Sequence, residues 1–369
     1  MSSFVENLRE EAQVLLQLEQ SLLNQMTDHG IFDKPDENIQ QLDNTKAKSK
    51  KSDKSKDTKI EETEQSDRAT IDTESVKQEI VTLRGEGLKL AELEMVLAVV
   101  GTMKAGKSTT INAIVGTEIL PNRNAPMTAI PTLIKHSKGQ KQARLTFTQK
   151  ASQPANQLIE NLRERFKDEK YQEELNKFKS DKDLNVTIER IQNGIQIANQ
   201  ALGEKEIFDF LVSVNDLVRI APKFGEKFPF DQYQEIDQLP VIEVEFTHLK
   251  EVEESSGKLI LLDTPGPNEA GQAHLRPMLQ DQLKKASAVL AVMDYTQLKS
   301  EADAQVRDDL KAIGNTVKNR IYALVNKFDN KDRNAMKEDE VKEFITGLTD
   351  GLIKKEKVYP VSAKRGYLA

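Results

Sequence analysis

MVLAVVGTMKAGKSTTINAIV, residues 95–115, runs from an apolar segment into a glycine-bearing loop and then into a helical pattern. Met95 to Val100 is continuously apolar and β-rich, the character of a strand covered on both faces. Gly101-Thr102-Met103-Lys104-Ala105-Gly106-Lys107-Ser108 fits G-x-x-x-x-G-K-S/T, and Thr109, Ile111, Asn112 and Ile114 carry on as a helix. The glycines let the backbone curl so that its N–H groups converge on phosphate oxygens, and the helix N-terminus adds the positive end of its dipole. The pattern assigns Gly101, Met103, Lys104, Ala105, Gly106, Lys107, Ser108 and Thr109 to phosphate binding, with Lys107 reaching the β and γ phosphates and Ser108 ligating Mg2+. Alone, this loop predicts only that some nucleoside triphosphate binds.

Working outward, short β-rich runs alternate with helical stretches. They are Leu133 to His136, Arg144 to Thr148, Val241 to Phe246, Lys258 to Leu262, Val289 to Met293, Tyr322 to Val325 and Val358 to Val361. The expected class is therefore α/β: a P-loop nucleotide-binding fold with a mostly parallel sheet flanked by helices. Residues 154–238 read as a long helical insertion, marked by Leu158, Ile159, Leu162 and Phe166 and again by Ile207, Phe208, Phe210, Leu211, Val214, Leu217 and Val218.

Several of these runs end in chemistry. Leu259 to Leu262 ends in Asp263-Thr264-Pro265-Gly266, where Asp263 can hold magnesium through water and the Gly266 N–H can meet the γ-phosphate. Between the motifs, the loop Asn122 to Pro131 offers Thr128 for magnesium and the γ-phosphate, with Thr132 as the alternative. Tyr322 to Val325 ends in Asn326-Lys327-Phe328-Asp329. A carboxylate there accepts from guanine N1–H and the exocyclic amine, whereas adenine N1 is itself an acceptor, so guanine is preferred. Lys327 is expected along the base and Asn326 as a brace. Ser362-Ala363-Lys364 closes the set, with the Ala363 N–H expected to meet the guanine oxygen.

Composition sets the exclusions. The 369 residues contain no Cys, which rules out disulfides, thiolate zinc sites and a Cys nucleophile. A net charge of −7 argues against general nucleic-acid affinity, so direct DNA binding is not expected. No run reaches the roughly 18 apolar residues of a spanning helix, and Met1 to Glu10 lacks signal-peptide character, so a cytoplasmic protein is expected. Residues 1–30 read as an amphipathic helix through Phe4, Leu8, Ala12, Leu15, Leu16, Leu22, Leu23 and Met26, whose stripe needs a helical partner. Residues 31–74 read as a disordered charged linker, a Lys block at 46–59 preceding an acidic block at 61–67. The Lys block is either a solvated tether or a contact for DNA or anionic lipid. Residues 75–93 read as a helix opened by a Ser75/Gln78 capping box, and 75–369 as the catalytic domain.

The run from Met95 to Pro131, with LLDTPGPNEAG at 261–271 and VMDYTQLKS at 292–300, resembles the dynamin-like branch of the GTPases in its bacterial form. Within that branch it looks especially like a clamp-binding enterobacterial member. The resemblance implies a dynamin-type GTPase domain that takes GTP with Mg2+, yields GDP, and forms a homodimer through its GTPase domains. Lys107, Thr128, Lys104 and Gly266 are its expected catalytic residues, and Ser108, Thr128 and Asp263 its metal ligands. Eukaryotic dynamins carry Gln and Ser where this chain has Met103 and Lys104, so no water-positioning role passes to Met103. Thr128 is expected to position the water through its backbone, and Lys104 to supply charge across the paired domains. Other partners implied are the DNA sliding clamp, for which Gln41-Leu42-Asp43-Asn44 is the nearest peptide, or a second dynamin-like chain. Two other readings stand beside the enzyme: a GTP-dependent switch without turnover, since Pro267 rather than Gln follows Gly266, and a membrane remodeller with a separate partner chain. Because few residues follow Lys364, the domain is expected to be C-terminally incomplete: a fragment, a truncated frame or half of a split system.

Overall fold

In the computed structural model, strand β1 (Glu94–Gly101) runs through the middle of a nine-stranded sheet, as its unbroken apolar run requires. The structure describes residues 2–28, 94–102, 104–120, 130–230, 233, 238–251, 257–266, 279–280, 282–298, 300, 304, 306–308, 310–311, 319–330 and 336–368. The expected linker at 31–74, the helix expected at 75–93 with Ser75 and Gln78, the Gln41-Leu42-Asp43-Asn44 peptide, Met103 and Thr128 lie outside these residues. Residues 1–93 and 94–369 are two separate units.

In the first unit, helix α1 (Ser2–Asp28) occupies the expected amphipathic segment. Leu15 and Leu22, both assigned to its apolar stripe, are exposed, as are Val14 and Leu18. No described helix is long and apolar enough to cross a membrane.

In the second unit, β1 leads through the phosphate loop into α2 (Lys107–Val115). There follow β2 (Thr132–His136), β3 (Arg144–Thr146), α3 (Gln149–Arg165), α4 (Gln172–Lys179), α5 (Lys182–Gln192), β4 (Gln200–Leu202) and α6 (Gly203–Ile220). The chain then adds β5 (Val241–Val244), β6 (Lys258–Asp263), β7 (Ala288–Asp294), β8 (Ile321–Asn326), α7 (Glu338–Leu348), β9 (Val358–Pro360) and α8 (Ala363–Leu368). Strand order is β4-β3-β5-β2-β6-β1-β7-β8-β9. From β6 to β9 every pairing is parallel; β2 turns antiparallel against β6, β5 runs parallel to β2, and β3 and β4 add antiparallel pairings.

Register brings the functional strand tips to one edge. Val99 lies opposite Asp263 on β6, Gly101 opposite Val292 on β7, and Asp294 opposite Asn326 on β8. Crevices at the carboxyl ends of parallel strands are where ligands bind in open α/β sheets, because helix N-termini and loop amides converge there. A Cβ on Gly101 would come within 2.6 Å of the Val292 carbonyl oxygen, so glycine allows β1 and β7 to run this close.

Three strands end earlier than their apolar runs suggest. Thr148 leaves β3 to cap α3, its hydroxyl accepting the Ala151 N–H at 3.3 Å, and α3 passes through Pro154 so that helix begins before the expected insertion boundary. Phe246 leaves β5 because its N–H donates to His136 Nδ1 at 2.9 Å. Val361 follows β9, its N–H donating to the Val325 carbonyl at 2.9 Å. The three-residue strand β4 inside the helical insertion had no periodicity of its own.

The insertion has its own aromatic centre. Phe224, fully buried, meets Phe166 at 4.7 Å (68°) and Tyr171 at 5.7 Å (52°), tying the ends of α3 and α6 to α4. The Thr187 hydroxyl donates to Asp216 Oδ2 at 2.5 Å and joins α5 to α6. Phe224→Ala removes a fully buried ring and leaves a cavity; we expect about 3–5 kcal/mol of lost stability in chemical denaturation. A midpoint unchanged from the wild type would show that the insertion is not anchored there.

Candidate functional site

The phosphate loop is held in a shape only glycine takes easily. Gly106 sits at φ 90° and ψ 27°, in the left-handed region, and its carbonyl accepts both the Thr110 N–H and the Thr110 hydroxyl at 2.8 and 2.9 Å. A Cβ there would lie 2.1 Å from Asn326 Nδ2. Lys107 opens α2 with its side chain buried; its Nζ donates to the Thr264 carbonyl and lies 3.4 Å from Asp263 Oδ1, whose side chain is 2% exposed. The Thr264 hydroxyl donates to the Val99 carbonyl at 2.8 Å, fixing the turn after β6 against β1. Ser108 and Thr109 are half-buried in the first turn of α2, Ala105 is buried and Gly266 is buried after β6.

Asn326 joins three loops. Its Nδ2 donates to the Ala105 carbonyl at 2.8 Å, and its Oδ1 accepts the Ala363 N–H at 2.9 Å. The Ala363 N–H, expected to meet a base oxygen, is thus committed to the brace, and α8, which it opens, packs on α2. Lys327, at φ 60°, donates from Nζ to the Lys104 carbonyl at 2.7 Å and to Asp294 Oδ2 at 2.6 Å. Lys104 also has positive φ, 68°, with its side chain exposed. The Asp329 side chain is 25% exposed and lies 3.5 Å from Nε of the exposed Arg365, and Phe328 donates its N–H to the Val361 carbonyl at 3.1 Å. Ser362 Oγ accepts the Arg365 N–H at 3.4 Å, and Lys364 is exposed.

The site expectations that fall on described residues therefore meet at one sheet edge. Thr132, the alternative to Thr128, is buried in β2 opposite Asp263, and its hydroxyl donates to the Ile130 carbonyl at 3.4 Å. Two residues beside the site carried no role in the sequence reading. Asn112, 1% exposed, donates from Nδ2 to the Leu120 carbonyl at 2.9 Å, and its Oδ1 accepts the Ile119 and Leu120 N–H groups, tying α2 to the segment that follows it. Asp294 ends β7 as Asp263 ends β6; that parallel, an acidic residue closing an apolar strand, was the available signal.

The donors suit magnesium. Asp263 and Ser108 offer hard oxygens on contacting elements, and no group of three His, Cys, Asp or Glu occurs among the described residues. Mg2+ favours this arrangement, one or two protein oxygens with phosphates and waters completing an octahedron, over an all-protein cage.

Residues 97–327 match the model of the dynamin family. Two curated relatives, the clamp-binding protein CrfC of Escherichia coli strain K12 and that of Escherichia coli, are each 53% identical over 288 residues, covering 78% of this chain. The chain spans 38% of the length of these relatives. Solved structures of an oligomerised bacterial dynamin pair, concerned with long-range sensing and tethering of membranes, align over 96% of this chain and 47% or 39% of theirs, at 18% identity and a TM-score of 0.41.

Gly139 is a built-in control for the loop glycine: its φ is 80° but a Cβ there meets nothing within 4 Å. Gly139→Ala should cost only the backbone strain, about 1–3 kcal/mol. Gly106→Ala must also displace the doubly bonded Asn326 and should lower the thermal midpoint clearly further. Equal losses from the two variants would refute the close approach.

Proposed function

Because the chain belongs to the dynamin family, we propose that it binds GTP with Mg2+ and hydrolyses it to GDP and phosphate. One observation carries this reading: Asn326 ties the loop leading into Lys107 to the loop bearing Asp329, which supports a phosphate cradle and a base-reading carboxylate acting on one ligand. Asp329 selects guanine by accepting from its N1–H and amine, and Lys327, held flat by two acceptors, lies along the base. Phosphate oxygens take over the Lys107 ammonium from Asp263 and the Thr264 carbonyl. That releases Asp263 which, with Ser108 and Thr128, would hold the magnesium. When bound, the ion neutralises charge on the β and γ phosphates.

Turnover in this proposal depends on pairing of the GTPase domains. The Gly266 N–H contacts the γ-phosphate, Thr128 orients the water through its backbone, and Lys104, whose side chain is exposed, supplies positive charge across the pair. The clamp-binding name of the curated relatives supports a clamp as partner; we take this to be the DNA sliding clamp, which would set the chain to work in the cytoplasm on chromosome replication or partition.

Asp329→Asn exchanges an acceptor for an amide. Asn keeps one carbonyl acceptor, so one of the two hydrogen bonds is lost; a hydrogen bond to a charged group contributes about 1.5–3 kcal/mol, and GTP affinity should fall by about tenfold to a hundredfold. Xanthosine triphosphate, which presents a carbonyl in place of the amine, should then bind better than GTP. Unaltered GTP binding, or equal displacement of a fluorescent GTP analogue by ATP from the wild type, would contradict the base assignment. Phosphate release per molecule should rise with protein concentration, and Lys104→Ala should flatten that rise. Binding with no release at any concentration would favour the switch without turnover, for which Pro267 after Gly266 is the specific pointer.

A further inference from the structure

Asp294 lies in the VMDYTQLKS run but has no role in the nucleotide motifs, and it is among the most enclosed charged groups described, 1% exposed at the tip of β7. Parallel pairing with β8 sets it opposite Asn326, one residue before Lys327. Its two oxygens have separate partners. Oδ1 accepts the Thr296 N–H at 2.9 Å and the Thr296 hydroxyl at 2.7 Å, and Oδ2 accepts Lys327 Nζ at 2.6 Å. The Thr296 cap fixes the carboxylate plane, and the second oxygen is thereby aimed at the lysine.

Lys327 needs such a hold. It sits in the left-handed region at φ 60°, which a residue with a Cβ leaves unless its surroundings prevent it. The Lys104 carbonyl is the second tether on the ammonium, at 2.7 Å, and only the Asp294 one is charged. The Tyr295 ring also meets Phe328 at 5.3 Å and 88°, so the loops after β7 and β8 are pinned on both sides of the lysine. A buried carboxylate kept beside a single ammonium is costly to separate from it.

Resting on the guanine-nucleotide reading of this pocket, we propose that Asp294 is a positioning residue for base recognition: its buried carboxylate fixes the Lys327 stem in the plane where the guanine stacks. Asp294 touches no part of the nucleotide and acts only through Lys327. Its effect therefore falls on ligands that carry a base. A role in fold stability alone would not discriminate among ligands.

The test is a double-mutant cycle on the full chain, with Asp294→Asn, Lys327→Met and the pair, read by a fluorescent GDP analogue and by competition with inorganic pyrophosphate. Asp294→Asn should weaken GDP by about tenfold, ~1.4 kcal/mol, with pyrophosphate competition unchanged. The double variant should bind GDP no worse than Lys327→Met, because the two residues act in series. Thr296→Val, made at an exposed position, should weaken GDP in the same direction by about threefold and keeps the inference under test if Asp294→Asn fails to fold. GDP affinity within about twofold of the wild type in the folded variants, losses that add in the double variant, or equal weakening of pyrophosphate would overturn it. A wild-type chain that takes up no GDP removes the underlying pocket reading too; normal wild-type binding with an indifferent Asp294→Asn removes this inference alone.

Discussion

The site depends on the two hydrogen bonds of Asn326. With the Ala105 carbonyl on one side and the Ala363 N–H on the other, this side chain, 4% exposed, holds together three loops that follow three different strands. Its donor and acceptor are both used in a place from which water is excluded, so neither bond can be exchanged for a solvent one at low cost. The position also dictates the composition of the facing loop: Gly106 has to be glycine because any Cβ would occupy the space of Asn326 Nδ2.

Charge is organised around that brace in two pairs, one buried on both sides and one joining a buried carboxylate to a half-buried lysine. Lys107 with Asp263 stands on the phosphate side and Lys327 with Asp294 on the base side, each pair linking a strand-tip carboxylate to a lysine of a neighbouring loop. The three enclosed charges, Lys107, Asp263 and Asp294, each face a counter-ion, and Lys107 and Asp294 have further hydrogen-bond partners as well. The pairs differ in what a nucleotide does to them. Phosphate competes for Lys107, whereas the proposed base contact uses the stem of Lys327 and leaves its ammonium where it is.

The sheet accounts for how the tips come together. Parallel strands from β6 to β9 point their carboxyl ends the same way, and their register aligns Asp263, Gly101, Asp294 and Asn326 along one edge. The antiparallel turn of β2 against β6 brings Thr132 opposite Asp263 and attaches the β3–β5 side and its helical insertion away from the base side of the site.

The class of fold, eight of the strands and the order of the nucleotide motifs are legible in the sequence, because short β-rich runs alternate with helical patterns and the apolar runs of β1, β6 and β8 lead directly into residue types with their own chemistry. Glycine and lysine at 106 and 107, and aspartate at 263 and 329, were legible for that reason. Asn112 and Asp294 were not: Asn112 bonds backbone groups seven and eight residues on, across a helix end whose turn no periodicity marks, and Asp294 meets Lys327 only because β7 and β8 pair in register. The early ends of β3 and β5 were equally hidden, as capping of α3 by Thr148 and the bond from Phe246 to His136 compete with strand pairing only once the helices and neighbouring strands exist. That the Ala363 N–H donates to Asn326 Oδ1 is decided in three dimensions, because a buried backbone donor must find a partner and sequence carries no distances to say which.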